Sequence, residues 1–321
     1  MRSGHTGSIL EVDLGSREID RRPTPPEWIE AFLGGRGLGA RLLWGLPPGT
    51  SATAPETPLI FCPGLLNGYP TPITARSEVV TKSPMTSAIE PSYPGSSTVS
   101  YSNLGGFFGT ELKFAGVDAL VIRGQSPEPV VLVIDGQNVR FERGSSLWGL
   151  SVSEKDALLR RRFPSTGRPF QFTYIGPAGE NGVRFSSIFH EVSRAYARGG
   201  VGCVMGSKHL AAIVVRGTEM PGVVDYAGYR THLQALRAHV ASKRDGEDYR
   251  KFREVGTLDS IGWGLERRAF GAMNYREGRW EPMWTYQDRA QSTFVHHHSC
   301  YACPVACRKS AYIPEGPTAG H

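Results

Sequence analysis

No stretch of this sequence reaches the apolar length of a membrane span, and no signal-peptide pattern follows Met1-Arg2-Ser3-Gly4-His5. The expectation is a cytoplasmic protein with no membrane span. Cysteine is scarce, five in all, and the count is odd. That argues against a secreted disulfide framework. Concentrated basic stripes are missing as well. The net charge is +6, but the arginines are spread along the whole length, so no nucleic-acid partner is expected. A local run such as Arg160-Arg161-Arg162 reads as the solvated face of a helix. Neither a Ser-His-Asp set nor a carboxylate pair stands out, so no catalytic side chain is named. The full dinucleotide-binding fingerprint is also absent, despite the glycines at Gly34, Gly35, Gly37 and Gly39. Those glycines fit close packing or a backbone-lined contact instead.

What is abundant is glycine, 39 residues, and proline, 23, a composition that suits short strands and backbone-lined sites. Alternation and turn residues predict a strand pair in the first two dozen residues, turning at Gly15-Ser16. A helix is expected over 26–44, interrupted by its glycines. Strands are expected over 58–62, 78–81, 119–123, 130–134 and 139–141, the last two forming a hairpin about Asp135-Gly136. Ser153 is read as the N-cap of a helix over 154–162. Phe170, Phe172 and Tyr174 mark one strand face, and 186–189 and 212–215 two further strands. A domain boundary is placed near Gly217 to Val223. Beyond it a helix is expected over 229–243, with Leu233, Leu236 and Val240 on one side. Charged and aromatic residues without alternation then run to Gln291.

Two segments resemble each other. Gly105-Gly106 leads through Lys113 to a strand and then Arg123-Gly124. Gly199-Gly200 leads through Lys208 to a strand and then Arg216-Gly217. The reading is a pseudo-twofold domain whose halves each offer one Gly-Gly loop to one ligand. Such loops expose backbone N–H groups to phosphate oxygens.

The sharpest motif is Cys300-Tyr301-Ala302-Cys303-Pro304-Val305-Ala306-Cys307. Thiolates at this spacing can each hold one iron of an iron–sulfur cube. Zinc is the alternative, with His296, His297 or His298 as a fourth ligand. Cys62 and Cys203 are read as core thiols.

Several segments, in this order, resemble the aldehyde:ferredoxin oxidoreductase family. They are Gly34-Gly35-Arg36-Gly37-Leu38-Gly39-Ala40; Arg76 to Pro84; Gly105 to Gly109 through Lys113 to Gly116; Ile175-Gly176-Pro177-Ala178-Gly179-Glu180-Asn181; Arg198 to Gly202 with Met205-Gly206-Ser207-Lys208; and the cysteine motif. The resemblance implies an α+β chain. Residues 1–217 would be a pseudo-twofold β-sheet domain cradling a metal-pterin. Residues 218–321 would begin an α-helical domain carrying the cluster motif. It implies tungsten or molybdenum held by two pterins, a Mg2+ ion bridging the pterin phosphates, and a 4Fe-4S cluster. Arg76 matches the arginine between cluster and pterin. Asn103 and Gly105 match pterin contacts, Asn103 near the magnesium. Arg194 and Ala195 match a second phosphate and magnesium contact, Ala195 through its carbonyl. Arg198 matches a further pterin-holding arginine, and Ala197 stands where relatives often have glycine. Cys300, Cys303 and Cys307 match three cluster ligands. The fourth family cysteine belongs to a later segment.

The activity implied is oxidation of an aldehyde to a carboxylate, with electrons passing to ferredoxin. Alternatives are a relative acting on another carbonyl compound or an aromatic thioester, a partner-dependent or non-catalytic subunit whose second chain supplies the missing part, and a truncated fragment.

Overall fold

A computed structural model describes residues 4–87, 96–165, 167–244, 246–280, 282, 286–317 and 319–320. The chain divides into two compact units, Met1–Pro70 with Thr74–Asp225, and Thr71–Ile73 with Tyr226–His321.

The first unit is one strand plan used twice. Its opening half runs β1 (Ser8–Asp13), β2 (Ile19–Pro23), α1 (Pro26–Phe32), α2 (Gly35–Leu43), β3 (Leu59–Pro63), β4 (Ser77–Ser87), β5 (Ser97–Leu104), α3 (Phe108–Phe114) and β6 (Ala119–Arg123). The second half runs β7 (Val130–Asp135), β8 (Asn138–Arg143), α4 (Val152–Arg162), β9 (Gln171–Ile175), α5 (Pro177–Glu180), β10 (Ile188–His190), β11 (Arg194–Tyr196), α6 (Val201–Ser207) and β12 (Leu210–Arg216). The first sheet has the order β2-β1-β6-β3-β4-β5, and the second β8-β7-β12-β9-β10-β11. In each, a hairpin opens the half, its first strand pairs parallel with the last strand of that half, and the other pairings are antiparallel. Each half also places a Gly-Gly loop between its edge strand and a short helix. The duplication inferred from the two glycine loops is therefore a duplication of the whole topology.

Burial on both faces explains why the central strands read as solid apolar runs. Leu10, Phe61, Val79 and Ile122 of the first sheet share a core with Leu132, Ile175, Ile188 and Ile213 of the second. The outer face of the first sheet packs Ile60, Cys62 and Val80 under Leu38 and Leu43 of α2. That of the second packs Val131, Phe172, Tyr174 and Val214 under Leu159 of α4. The layers are helix, sheet, sheet, helix.

Several expectations are corrected. The helix over 26–44 is two helices, broken where Leu33 takes a φ of 60°. Gly39 lets α2 lie directly on β4, since a Cβ there would come within 2.5 Å of Val80 Cγ2. The N-cap of α4 is Ser151, not Ser153; Ser151 and Glu154 form a reciprocal capping box. Strands β5 and β11 occupy segments for which no strand was expected. The stretch to Gln291, read as charged and aromatic residues without alternation, holds helices, in keeping with the expected helical region.

In the second unit, α7 (Tyr226–Ser242) buries none of its residues. Then come α8 (Glu247–Glu254), a 3-10 turn over Gly256–Asp259, α9 (Ser260–Glu266) and α10 (Tyr286–Ser292). The unit closes with an antiparallel pair, β13 (Phe294–His298) and β14 (Arg308–Ala311). Among the described residues no helix is long and apolar enough to cross a membrane.

Candidate functional site

The end of β5 gathers most of the candidate residues. Glu78 on β4 and Asn103 on β5 stand directly opposite each other in the ladder, so their side chains leave the same face. Asn103 Nδ2 donates to Glu78 Oε1 at 3.0 Å, and Arg76 Nη1 donates to Asn103 Oδ1 at 2.8 Å. Arg36 Nη2 reaches Glu78 Oε1 at 3.2 Å. Its guanidinium also lies over the Tyr101 ring, 3.5 Å from the centroid, a cation–π contact. The Arg76 carbonyl accepts from Gly64 N and Asn67 Nδ2, at 3.1 and 3.0 Å, which fixes the backbone from which its exposed side chain rises.

Gly105 and Gly106 follow, turning the chain from β5 into α3. Gly106 has a φ of 115°, and a Cβ on it would fall 2.7 Å from His190 Cδ2 and 2.9 Å from Arg194 Cδ. The first half's loop thus rests on side chains of the second half. His190 Nδ1 faces the Phe172 carbonyl at 2.8 Å, and Phe107 N–H points at His190 Nε2 at 3.3 Å. A carbonyl facing Nδ1 calls for a proton on that nitrogen. Arg194 is aligned by Glu191, Nε to Oε2 3.0 Å.

The second glycine loop lies along the other side of β5. Arg198 N–H donates to Ser102 Oγ at 3.0 Å, and the Ala197 carbonyl accepts from Ser187 Oγ at 3.4 Å. Ala195 sits on β11 opposite Phe189. Gly199 and Gly200 both have left-handed φ, 74° and 72°. A Cβ on Gly200 would be 2.0 Å from the Arg184 carbonyl. Tyr196 OH and Ser77 Oγ are 2.7 Å apart and buried, pinning β11 to β4. Burial is the main reason the Tyr196 hydroxyl titrates well above a free tyrosine.

Ser102 and Asn103 leave β5 on opposite faces. The structure therefore brings Arg76 to Asn103, Arg194 to the Gly105-Gly106 loop, and the Arg198 backbone to Ser102, all around one strand end. Sequence reasoning missed Arg36, Glu78, Tyr101 and His190 as members of this group. Arg36 and Glu78 lay inside motifs already singled out, but nothing local says that they meet.

Cys300, Cys303 and Cys307 occupy the connection between β13 and β14. Ala302 and Ala306 take φ of 53° and 51°, and Cys303 N–H donates to the Cys300 carbonyl at 3.1 Å. Burial, together with the nearby Cys300 and Cys307 sulfurs, pushes the Cys303 thiol up, while N–H groups of Val305 and Ala306 pull the other way. Tyr249 Oη and Arg253 Nη1 of α8 both donate to the Pro304 carbonyl at 2.9 Å. Gly256 lets the chain approach closely, since a Cβ there would be 2.4 Å from the Cys307 carbonyl. Among the described residues, no three His, Cys, Asp or Glu side chains are grouped about one metal position. His298 Nε2 is engaged with Ser310 Oγ at 2.7 Å.

The aldehyde ferredoxin oxidoreductase N-terminal domain model matches residues 9–217. The tungsten-containing aldehyde ferredoxin oxidoreductase of Pyrococcus abyssi is 35% identical over 322 residues, covering 99% of this chain and 51% of that protein. An aliphatic sulfonate oxidoreductase, WOR-like subunit, of Pyrococcus furiosus is 29% identical over 341 residues, 98% of this chain and 51% of its own length. Among solved structures, the active site complex BamBC of benzoyl coenzyme A reductase, in complex with 1,5 dienoyl-CoA, aligns with a TM-score of 0.83 and 31% identity. That match covers 99% of this chain and 48% of the matched one. The chain spans about half the length of the curated relatives it matches. It belongs to the aldehyde ferredoxin oxidoreductase family.

Proposed function

We propose that this chain is the cofactor-cradling part of a tungsten- or molybdenum-bis-pterin oxidoreductase that converts an aldehyde to a carboxylate. Family-level oxidoreductase chemistry stands on the similarity itself. The observation that carries the finer reading is the convergence of two glycine loops and of Arg76, Asn103 and Arg194 around the end of β5. The residues fit a phosphate-bearing ligand. Arginine forks match phosphate oxygens. Gly106, Gly199 and Gly200 leave no room for a Cβ, and glycine loops of this kind can bring backbone N–H groups to an anion.

Arg76, Asn103, Gly105, Arg194, Ala195, Ala197 and Arg198 would hold the pterins and their phosphates. Asn103 and the Ala195 carbonyl would also face a bridging Mg2+ ion. Cys300, Cys303 and Cys307 would ligate three irons of a 4Fe-4S cluster, a fit supported by their spacing and by the N–H groups turned toward Cys303. We take residues 1–217 as the pterin-binding part and 218–321 as the start of the helical region. When bound, the metal-pterin supplies the two-electron redox chemistry. The balanced reaction is aldehyde plus water to carboxylate, three protons and two electrons, the electrons leaving singly for ferredoxin. This chain's own groups bind and orient. Further polypeptide, continuous or separate, would supply the fourth cluster ligand and the substrate pocket. The cytoplasm, a reducing compartment, suits free thiols of this kind. A second reading, an aromatic thioester as substrate, is favoured by the likeness to the benzoyl coenzyme A reductase complex.

The test is metal and pterin analysis of protein made and purified without oxygen, wild type beside Arg76→Lys. The expected result is iron with labile sulfide, tungsten or molybdenum, and pterin. The lysine variant should retain about tenfold less pterin, because a point charge cannot replace a bidentate fork. Zinc without iron would overturn the cluster, and wild-type protein devoid of pterin would overturn the site.

A further inference from the structure

The duplication in the first unit lets one corner of the fold be compared with its counterpart. Strands β3 and β9 hold equivalent places in their sheets. The connection leading into β9 carries Arg168, which meets α3. Arg168 Nε donates to Glu111 Oε1 at 2.7 Å, and Gly217 N–H donates to Glu111 Oε2 at 2.9 Å. The Arg168 guanidinium also lies 3.9 Å from the centroid of the Phe114 ring. Side chains close that corner, and Glu111 is buried.

The matching corner is built without those side chains. Glu111 stands two residues before Lys113, whereas Gly206 stands two before Lys208. A Cβ on Gly206 would lie 2.0 Å from the Gly179 carbonyl, so that position takes no side chain at all. The connection into β3 brings Ser51, Ala52 and Thr53 in place of an arginine. A cavity of about 540 Å³ is left between the two halves, in the size range of small-molecule sites, roughly 300–1,000 Å³. Protein interiors normally close such gaps. Ser97 on its wall opens β5, six residues before Asn103. That separates the cavity from the β5 end by roughly 20 Å at about 3.4 Å per residue.

The lining selects the ligand. Ser51, Thr53, Ser87, Ser97 and Ser207 supply hydroxyls, and among the described residues no aromatic ring lines the wall, so a flat base would find nothing to stack on. Arg184 supplies a guanidinium with no ion-pair partner among the described residues. Burial raises the Cys203 thiol on the α6 wall, and the Arg184 charge opposes that rise, which places the charge close to the cavity. Glu180, the lining carboxylate, is already spent on Lys155 and the Gly149 N–H. His209 Nδ1 faces the Ser126 carbonyl at 2.6 Å. A proton on that nitrogen leaves Nε2 of the neutral ring to accept from a hydroxyl.

We propose that this cavity is a second ligand site, which binds a small polyhydroxylated anion of the sugar-acid or sugar-phosphate kind. The anionic group sits on Arg184, and the hydroxyls meet His209 and the serine and threonine wall. Because Thr53 and Ser97 belong to the first half and Arg184 and His209 to the second, the ligand ties the halves together. The inference stands independently of the metal-pterin reading.

Titration calorimetry of this chain with gluconate, glucose 6-phosphate, glucose and acetate tests it. One or both of the sugar anions should bind at least tenfold more tightly than glucose, which lacks the charge, and than acetate, which lacks the hydroxyls. The tighter of the two identifies the anionic group. Arg184→Gln should bring that anion to within twofold of glucose. Thr53→Trp, which sets an indole into the cavity from an exposed loop position, should abolish binding of both sugar anions, and it decides the question if the glutamine variant does not fold. Wild-type protein that binds neither sugar anion overturns the site. Acetate binding as tightly as the sugar anions reduces it to an adventitious charge contact and overturns it too, as does sugar-anion binding that survives Thr53→Trp.

Discussion

Lys208 caps the C-terminus of α6 just before β12, 1% exposed, and its Nζ donates to the carbonyls of Pro55 and Gly124 at 3.0 and 3.3 Å. Burial, aided by Arg123, lowers its pKa to about 8. An unfolded lysine titrates near about 10.4. Between those values the unfolded chain holds a proton that the folded chain has shed, so stability from this group rises with pH across the window. Below the folded value the protein carries a buried ammonium and the penalty is complete. Urea unfolding at a pH of about 7.5 and about 9.5 should show the midpoint changing more in the upward direction for wild type than for Lys208→Met. Tyr174 and Tyr196, both raised by burial, favour the protonated folded state at still higher pH. They act equally in both proteins and cancel in the difference. Equal slopes in the two proteins would show that Lys208 is not the group responsible.

At the scale of elements, the glycine loops are the most constrained pieces. Gly200 combines a left-handed φ of 72° with a Cβ position 2.0 Å from the Arg184 carbonyl, and a backbone oxygen cannot swing aside. Gly200→Ala should cost at least about 2 kcal/mol by chemical denaturation. Gly49→Ala, where a Cβ would meet nothing within 4 Å, should stay within about 0.5 kcal/mol. Similar costs at both positions would remove the claim that the second loop is sterically locked.

These loops were legible in the sequence, because glycine pairs followed by lysine and Arg-Gly recur at matching places. So were the central strands, whose two-sided burial leaves unbroken apolar runs such as 130–134, and the cysteine motif, whose meaning lies in spacing alone. Strand β5 was not. Its Ser97-Thr98-Val99-Ser100-Tyr101-Ser102-Asn103 is polar enough to read as a loop, and only its pairing with β4 makes it a strand. The break between α1 and α2 depends on Gly37 meeting the Phe32 carbonyl, where a Cβ would lie 2.4 Å away. The Arg36–Glu78–Asn103–Arg76 chain joins residues from separate elements, and periodicity carries no information about which of them meet.

At the scale of the whole molecule, the decisive fact is coverage. The chain matches half the length of its curated relatives. Carbonyl oxidation needs a shaped pocket that excludes water and places the reacting carbon. On the proposed reading, the described residues would supply a cradle and a cysteine loop. This chain alone, loaded with cofactor and assayed without oxygen against a panel of aldehydes and a low-potential dye, is expected to show no sustained turnover. Addition of the polypeptide matching the relatives' other half should restore it. Steady turnover by this chain unaided would mean that it forms a complete site by itself.

The duplicated sheet plan has a consequence for how the protein is made. Ile9 of β1 pairs with Ala119 of β6, and Val131 of β7 with Ala212 of β12, so each half stays unzipped at its centre until its last strand has been synthesised. At roughly 5–20 residues per second, β1 waits seconds on the ribosome for its partner. β6 and β12 hold equivalent places in their sheets, and both are apolar strands that can offer a parallel edge to a waiting hairpin. Vectorial synthesis resolves the ambiguity, because β6 emerges while β12 does not yet exist. Refolding from denaturant presents both strands at once, and the chain must then sort out by trial a pairing that translation settles by order of arrival.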